Sequence, residues 1–217
     1  MRSTSVASDF VHDIDQRFTS LEAPEVLGKQ RDERRPVVLH RARHVRRDDH
    51  IRQIPVRTRR IKRLAREYVF RLRLVGTGVD NVVIPGVEVE NLGWKLEREI
   101  ADFQSLDIGI YPIVEDNWSV GKSCFKAVQY MAVGVPFVVS PVGACHDIAE
   151  ANRTHFVART QEEWYEYLSQ LLSDANLRQR MGEAGRGYAV QHYSIEAHVQ
   201  KLADALRSAK TQSHCIR

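Results

Sequence analysis

The sequence predicts an α/β fold, a parallel sheet with helices on both faces. Three observations carry the prediction. Apolar runs of strand length alternate with segments of helical period from about residue 61 to residue 207. Glycine and proline turns, Gly76-Thr77-Gly78, Pro112 and Pro141-Val142-Gly143, close several of those runs. The 43% hydrophobic content supports a sizeable core.

Taken in order, residues 1–35 show no sustained period, and Ala23-Pro24 breaks them; they read as loop or weak helix. Pro36-Val37-Val38-Leu39 starts like a buried strand. From His40 to His50 no strand or helix pattern survives, and a like-charge block of this kind self-repels. Ile61, Leu64, Ala65 and Tyr68 then share one face of an amphipathic helix. Phe70 to Val75 alternates and runs into the Gly76 turn as a strand. Val87 to Glu90 is a second short strand, and Leu96 to Phe103 a helix with acids in its first half. Leu106 to Tyr111 is a third strand, closed by Pro112. Gly121 opens a short helix that ends before Pro136, and Phe137 to Ser140 is the next strand. A short helix is expected over Asp147–Ala151 and a last strand over His155–Ala158.

Three helices finish the chain. Gln161–Leu172 carries Trp164, Leu168, Leu171 and Leu172 on one face. Asn176–Tyr188 carries Leu177, Met181 and Ala184, and Ser194 caps a helix with a Val199, Leu202, Ala203 and Leu206 stripe. The organisation expected is a poorly ordered segment over 1–35, an Arg-rich atypical segment over 36–60, the α/β domain over 61–207 and a tail over 208–217.

Charge is distributed unevenly. Residues 29–66 hold 15 Lys and Arg against four acids, so a net charge of +4 for the whole chain leaves the remainder at −7. The basic character therefore belongs to one segment. That segment could hold nucleic acid or an acidic membrane surface, but it lacks aromatic residues for base stacking, which disfavours nucleic acid. No apolar run approaches the roughly 20 residues of a membrane helix, and the N-terminus lacks a secretory signal's apolar stretch. Cys124, Cys145 and Cys215 are too few and too scattered for a disulfide framework or a zinc site. A reducing cytoplasm is the expected compartment, with Cys124 a small packing residue.

The helix opened by Gly121 carries the clearest chemistry. Lys122 and Lys126 stand beside free backbone N–H groups and a positive dipole end, a combination suited to a phosphate. Alternatively both lysines are merely solvated. Gly121-Lys122-Ser123 matches the tail of a P-loop, but the glycine required five residues before Gly121 is Asp116. The loops that follow the strands lie at one edge of a parallel sheet, where ligands bind in such folds.

Lys126 to Val139, read as Lys-x-x-Gln-Tyr-Met-Ala-x-Gly-x-Pro-Phe-Val-Val, resembles the donor-site helix of retaining family 4 glycosyltransferases, which have the GT-B fold. Leu74 to Gly78, Val89 to Trp94, Ala101 to Pro112 and Ser140 to Ile148 resemble further motifs of that family, in the same order. The resemblance covers about 61–207 and implies the Rossmann-like, nucleotide-sugar-binding C-terminal domain of a GT-B enzyme.

What it implies is hexosyl transfer with retention from a nucleoside diphosphate sugar, such as a UDP- or GDP-sugar, without metal or other cofactor. Gly76, Leu92, Gly93, Gly121, Lys122, Lys126 and Gln129 would line the donor site, and Lys122 and Lys126 would act in catalysis by stabilising the departing diphosphate. Gln129 stands where the family has the acid that binds the ribose hydroxyls, and Gly121 where a second acid often touches the sugar. The resemblance fails over 40–60, which a frame-disrupted or truncated member, or a divergent insertion, would explain. The implied partners are the nucleotide sugar, an unidentified acceptor, and a separate N-terminal domain or an oligomer partner. A peripheral station at the inner membrane face fits such an enzyme, and a non-catalytic remnant is the other reading.

Overall fold

The computed structural model describes the backbone of residues 37–41 and 209–212 and all atoms of 59–77 and 81–208. The expectations for 1–35, for most of 36–60 and for the end of the tail lie outside the described residues, as does Gly78. The chain divides into two compact units, one of Arg34–Gln191 and one of Met1–Glu33 with His192–Arg217.

In the larger unit the strands are β1 (Val37–Arg41), β2 (Arg71–Val75), β3 (Glu88–Leu92), β4 (Ile108–Tyr111), β5 (Phe137–Val139) and β6 (Phe156–Val157). They form one sheet in the order β3-β2-β1-β4-β5-β6, and every neighbouring pair is parallel. This is the doubly wound, Rossmann-like order, in which the winding reverses between β1 and β4. The expected fold class is the one observed.

Side chains alternate across the sheet because successive residues of a strand point to opposite faces. Leu72, Leu74, Ile108, Ile110, Val138 and Phe156 enter one core with Leu64, Trp164, Leu168 and Leu171. Val75, Phe137, Val139 and Val157 enter the other with Phe103, Ala127, Tyr130 and Met131. The first core is covered by α1 (residues 59–67) and α4 (Gln161–Ser173), the second by α2 (Glu99–Gln104) and α3 (Phe125–Ala132). The capping box of α4 pairs Thr160 with Glu163: the Thr160 hydroxyl accepts from the Glu163 N–H at 3.1 Å, and the Glu163 carboxylate accepts from the Thr160 N–H at 2.9 Å.

Several expected bounds shift. Strand β1 includes His40 and Arg41, which the charge pattern had left without structure. It lies between β2 and β4, so two ladders of backbone hydrogen bonds fix it whatever its side-chain pattern. Strand β3 runs to Leu92, and its acids, exposed Glu88 and half-buried Glu90, pair with Arg71 and Arg73 of β2, each at 2.7 Å. The helix expected over Leu96–Phe103 is a 3₁₀ turn, Leu96–Arg98, followed by α2.

No helix forms over 147–151. A 3₁₀ turn at Gly143–Cys145 precedes that stretch, and the Thr154 N–H and hydroxyl both bond the Glu150 carbonyl at 2.9 Å, closing a turn there instead. The last strand is only Phe156–Val157. Helix α5 (Ala175–Tyr193) is longer than its apolar pattern. A Cβ at Gly182 would lie 2.1 Å from the Gly134 carbonyl oxygen, so the absent side chain is what lets α5 approach the loop after α3.

In the described part of the smaller unit, Ile195–Gln212 form helix α6. The Ser194 hydroxyl caps it by accepting the Ala197 N–H at 3.2 Å. Val199, Leu202 and Leu206 of its stripe are exposed. Among the described residues no helix is long and apolar enough to cross a membrane.

Candidate functional site

Helix α3 is fixed at both ends. Its C-terminus is a Schellman turn: Gly134, at φ 70, donates to the Met131 carbonyl and Val135 to the Tyr130 carbonyl, both at 2.9 Å. Its inner face, Ala127, Tyr130 and Met131, is fully buried. The Tyr130 ring stacks on Phe137 and meets Phe103 edge-on. It fits because β4 carries Gly109 beneath it, where a Cβ would lie 2.7 Å from the ring.

The N-terminal end differs from the expectation. Gly121 does not open the helix. Three residues separate it from Phe125, and the last of them, Cys124, in the left-handed conformation at φ 54, forms the N-cap. Lys122 therefore stands in the preceding loop and Lys126 in the first helical turn. That loop is tied at Asp116, whose carboxylate accepts the Ser119 N–H at 2.6 Å. The Ser119 hydrogen bonds hold the Asp116 carboxyl below the usual carboxylate range.

The loop after β5 braces the same place. The Val120 carbonyl oxygen packs against Gly143, at φ 56, where a Cβ would approach to 2.3 Å. The expected inert Cys124 is instead bonded to Cys145, with Cα atoms 5.3 Å apart. Sequence spacing could not show this, because the two cysteines stand 21 positions apart and the fold brings them together.

These constraints frame a cavity of about 420 Å³, lined by Tyr111, Gly121, Lys122, Ser123, Cys124, Phe125, Lys126 and Gln129. It lies beside the carboxyl end of β4, one of the two strands flanking the reversal of the sheet order. Lys122 Nζ lies 3.5 Å from the Ser119 hydroxyl, and Lys126 Nζ lies 5.3 Å above the Tyr111 ring centre, a cation–π distance. Burial pushes the Tyr111 hydroxyl pKa upward, so it remains a neutral donor there. First-turn N–H groups of a helix lack intrahelical acceptors. Two cations and those N–H groups make the cavity suited to a phosphorylated anion.

Of the residues singled out from sequence, Gly121, Lys122, Lys126 and Gln129 meet in this cavity. Gly76, Leu92 and Gly93 stand at the carboxyl ends of β2 and β3 on the same sheet edge, outside its lining. Gly76, at φ 64, donates its N–H to the Leu92 carbonyl at 2.9 Å, tying the two strand ends.

Sequence reasoning missed Glu99. The residue is 9% exposed, and its carboxylate accepts from Gln129 Nε2 at 2.8 Å and from Trp94 Nε1 at 3.2 Å. The available signal was weak: an acid in a helix that follows the β3 loop, 30 residues before Gln129.

The family model for glycosyl transferases group 1 matches residues 35–174. Among curated proteins none matches the chain in sequence. A glycosyltransferase from Rickettsia africae is similar in structure with a TM-score of 0.63 at 15% identity, over 87% of this chain and 53% of its own. Anabaena HepE, solved with UDP and glucose, gives 0.61 at 17%, over 86% and 53%. The C-terminal domain of a group 1 family glycosyl transferase, LpcC of Francisella tularensis, gives 0.53 at 15%, over 76% and 90%. The chain thus spans about half the length of the first two and most of an isolated C-terminal domain.

Proposed function

The chain belongs to the group 1 glycosyl transferases, and from that membership we propose that it is the donor-binding domain of an enzyme transferring a hexosyl group, with retention, from a nucleoside diphosphate sugar. The observation that carries this reading is the convergence of Lys122, Lys126 and Gln129 on one cavity at the start of α3. Lys122 and Lys126 bind the diphosphate and stabilise the negative charge that grows on it as the glycosidic bond breaks. Charge placed where it develops is the largest lever such a site has. The lysines supply that charge without a metal or other cofactor, and turnover is expected to withstand chelation.

Gln129 binds the ribose. Gly76, Leu92 and Gly93 extend the site along the sheet edge toward the nucleobase. UDP and glucose in HepE make UDP-glucose the first donor to test. The acceptor is bound by a separate N-terminal domain or a partner chain.

We place this chemistry in the cytoplasm, with the inner membrane face as an acceptor station. Disulfides are rare in reducing compartments, so the Cys124–Cys145 bond weighs against this placement; its burial, 1% and 0% exposed, acts only by slowing exchange at the sulfurs.

Calorimetric titration with inorganic pyrophosphate, UDP, GDP and their sugars tests the reading. One saturable site is expected. Replacing Lys122 and Lys126 together by Ala is expected to remove two charge-assisted contacts and lower affinity on the order of 100-fold, from about 1.5 kcal/mol or more for each. No saturable heat with any of these diphosphates sinks the proposal.

A further inference from the structure

We infer that Glu99 is a positioning residue that sets the hydrogen-bonding sense of the site: it holds the Gln129 amide with its nitrogen turned away from the cavity and its carbonyl oxygen left for a ribose hydroxyl. The inference rests on the donor-site reading above and adds to it the identity of the recognition group, a neutral acceptor.

Gln129 is 7% exposed yet lines the cavity. An amide of this kind could present either end to a ligand, since its oxygen and nitrogen differ little in shape. Here the far partner decides. As a carboxylate Glu99 offers acceptors only, and its Oε1 lies 2.8 Å from the Gln129 amide nitrogen. Turning the amide over would set two acceptor oxygens against each other in a buried place, which costs the bond and adds repulsion.

Glu99 cannot yield by rotating, because its other oxygen accepts the Trp94 indole N–H at 3.2 Å. Trp94 and Glu99 both come from the segment that runs from the end of β3 into α2, so an element outside α3 dictates which end of the Gln129 amide is spent. The remaining Gln129 oxygen takes no hydrogen bond from any described residue and is not among the fully buried atoms without a partner. It is the acceptor left for a ligand. A ribose hydroxyl can donate to it, whereas fluorine in the hydroxyl's place cannot.

The pattern in the Glu99→Gln variant follows from the same geometry. The Trp94 N–H draws the oxygen of the substituted side chain toward itself, so the new amide nitrogen faces Gln129. That nitrogen needs an acceptor, and the Gln129 amide inverts to provide one. The cavity then meets an N–H donor instead of a carbonyl.

The test uses the full chain and four ligands: inorganic pyrophosphate, UDP, and the UDP analogues bearing fluorine in place of the 2′- or the 3′-hydroxyl. In the wild type, at least one analogue is expected to bind about 3- to 10-fold more weakly than UDP, the size of one neutral hydrogen bond. In Glu99→Gln that ratio narrows at least threefold, while pyrophosphate affinity stays within about twofold. In Gln129→Leu, which has no acceptor, the ratio falls to about one.

A Glu99→Gln variant that keeps the wild-type ratio overturns the inference, as does one that weakens pyrophosphate and all nucleotides equally, the mark of a purely structural role. Equal binding of UDP and both analogues by the wild type also overturns it. Failure of the wild type to bind even pyrophosphate and UDP brings down the donor-site reading itself.

Discussion

Cys124 and Cys145 close a loop of 21 residues' separation that contains all of α3 and β5. Cutting the bond returns conformational freedom to the unfolded chain. For a loop of this length the entropy is roughly 11 cal/mol/K, or about 3 kcal/mol at 25 °C. With a urea m-value of about 2 kcal/mol/M, that loss moves the unfolding midpoint down by about 1.5 M. The assay is urea unfolding followed by far-ultraviolet circular dichroism, on oxidised chain and on chain reduced while unfolded and then refolded in reductant. Mass spectrometry after alkylation confirms the thiol count of each sample.

Cys145→Ala should behave as the reduced form, since the other cysteine then has no partner in this site. Reduction also acts on the cavity, because the bond anchors the left-handed N-cap of α3. Pyrophosphate binding is expected to weaken with it. A midpoint shift below about 0.3 M, with thiols verified as free, refutes the reasoning: the bond would then be constraining nothing that the packing of Val120 on Gly143 does not already hold.

Two glycines at the cavity should respond in opposite ways. Gly143→Ala places a Cβ 2.3 Å from the Val120 carbonyl oxygen at φ 56 and is expected to cost more than about 3 kcal/mol, or to prevent folding. Gly121→Ala meets only the Trp118 carbonyl oxygen at 3.8 Å and should stay within about 0.5 kcal/mol of wild type. Chemical denaturation measures both. His155 is fully buried and stacked on Phe137, and burial lowers its pKa from 6.5 to about 4. The folded state therefore resists a proton that the unfolded chain accepts. The contribution is complete above about pH 6.5 and falls away as the pH drops toward 4, by about 3 kcal/mol in all. His155→Phe should flatten that part of the stability–pH curve, and an unchanged slope contradicts the assignment.

What was legible in the sequence was what local pattern encodes. The apolar runs Leu106–Tyr111 and Phe137–Ser140 announce strands because both faces of a parallel sheet are buried, and the Trp164/Leu168/Leu172 stripe announces α4. Lys122, Lys126 and Gln129 were legible because they sit close together on one short segment. The missing parts depend on distant neighbours. His40 and Arg41 are strand because β2 and β4 flank them, against their own charge pattern. In place of the Asp147–Ala151 helix there is a turn that the Thr154 N–H and hydroxyl close on the Glu150 carbonyl, and Thr154 lies outside the stretch whose pattern was read. Glu99 and Gln129, 30 residues apart, and Cys124 and Cys145 become partners only once the sheet order is set. Even the start of α3 moved, because a left-handed Cys124, rather than Gly121, sets it.

The central claim, that the cavity at the start of α3 holds the diphosphate of a nucleotide sugar, is tested most directly by a crystal structure of the chain with UDP. The account predicts phosphate oxygens within about 2.7–3.2 Å of the Lys122 and Lys126 ammonium groups, with the ribose against Gln129. UDP seated elsewhere, or in this cavity with its diphosphate touching neither lysine, contradicts it.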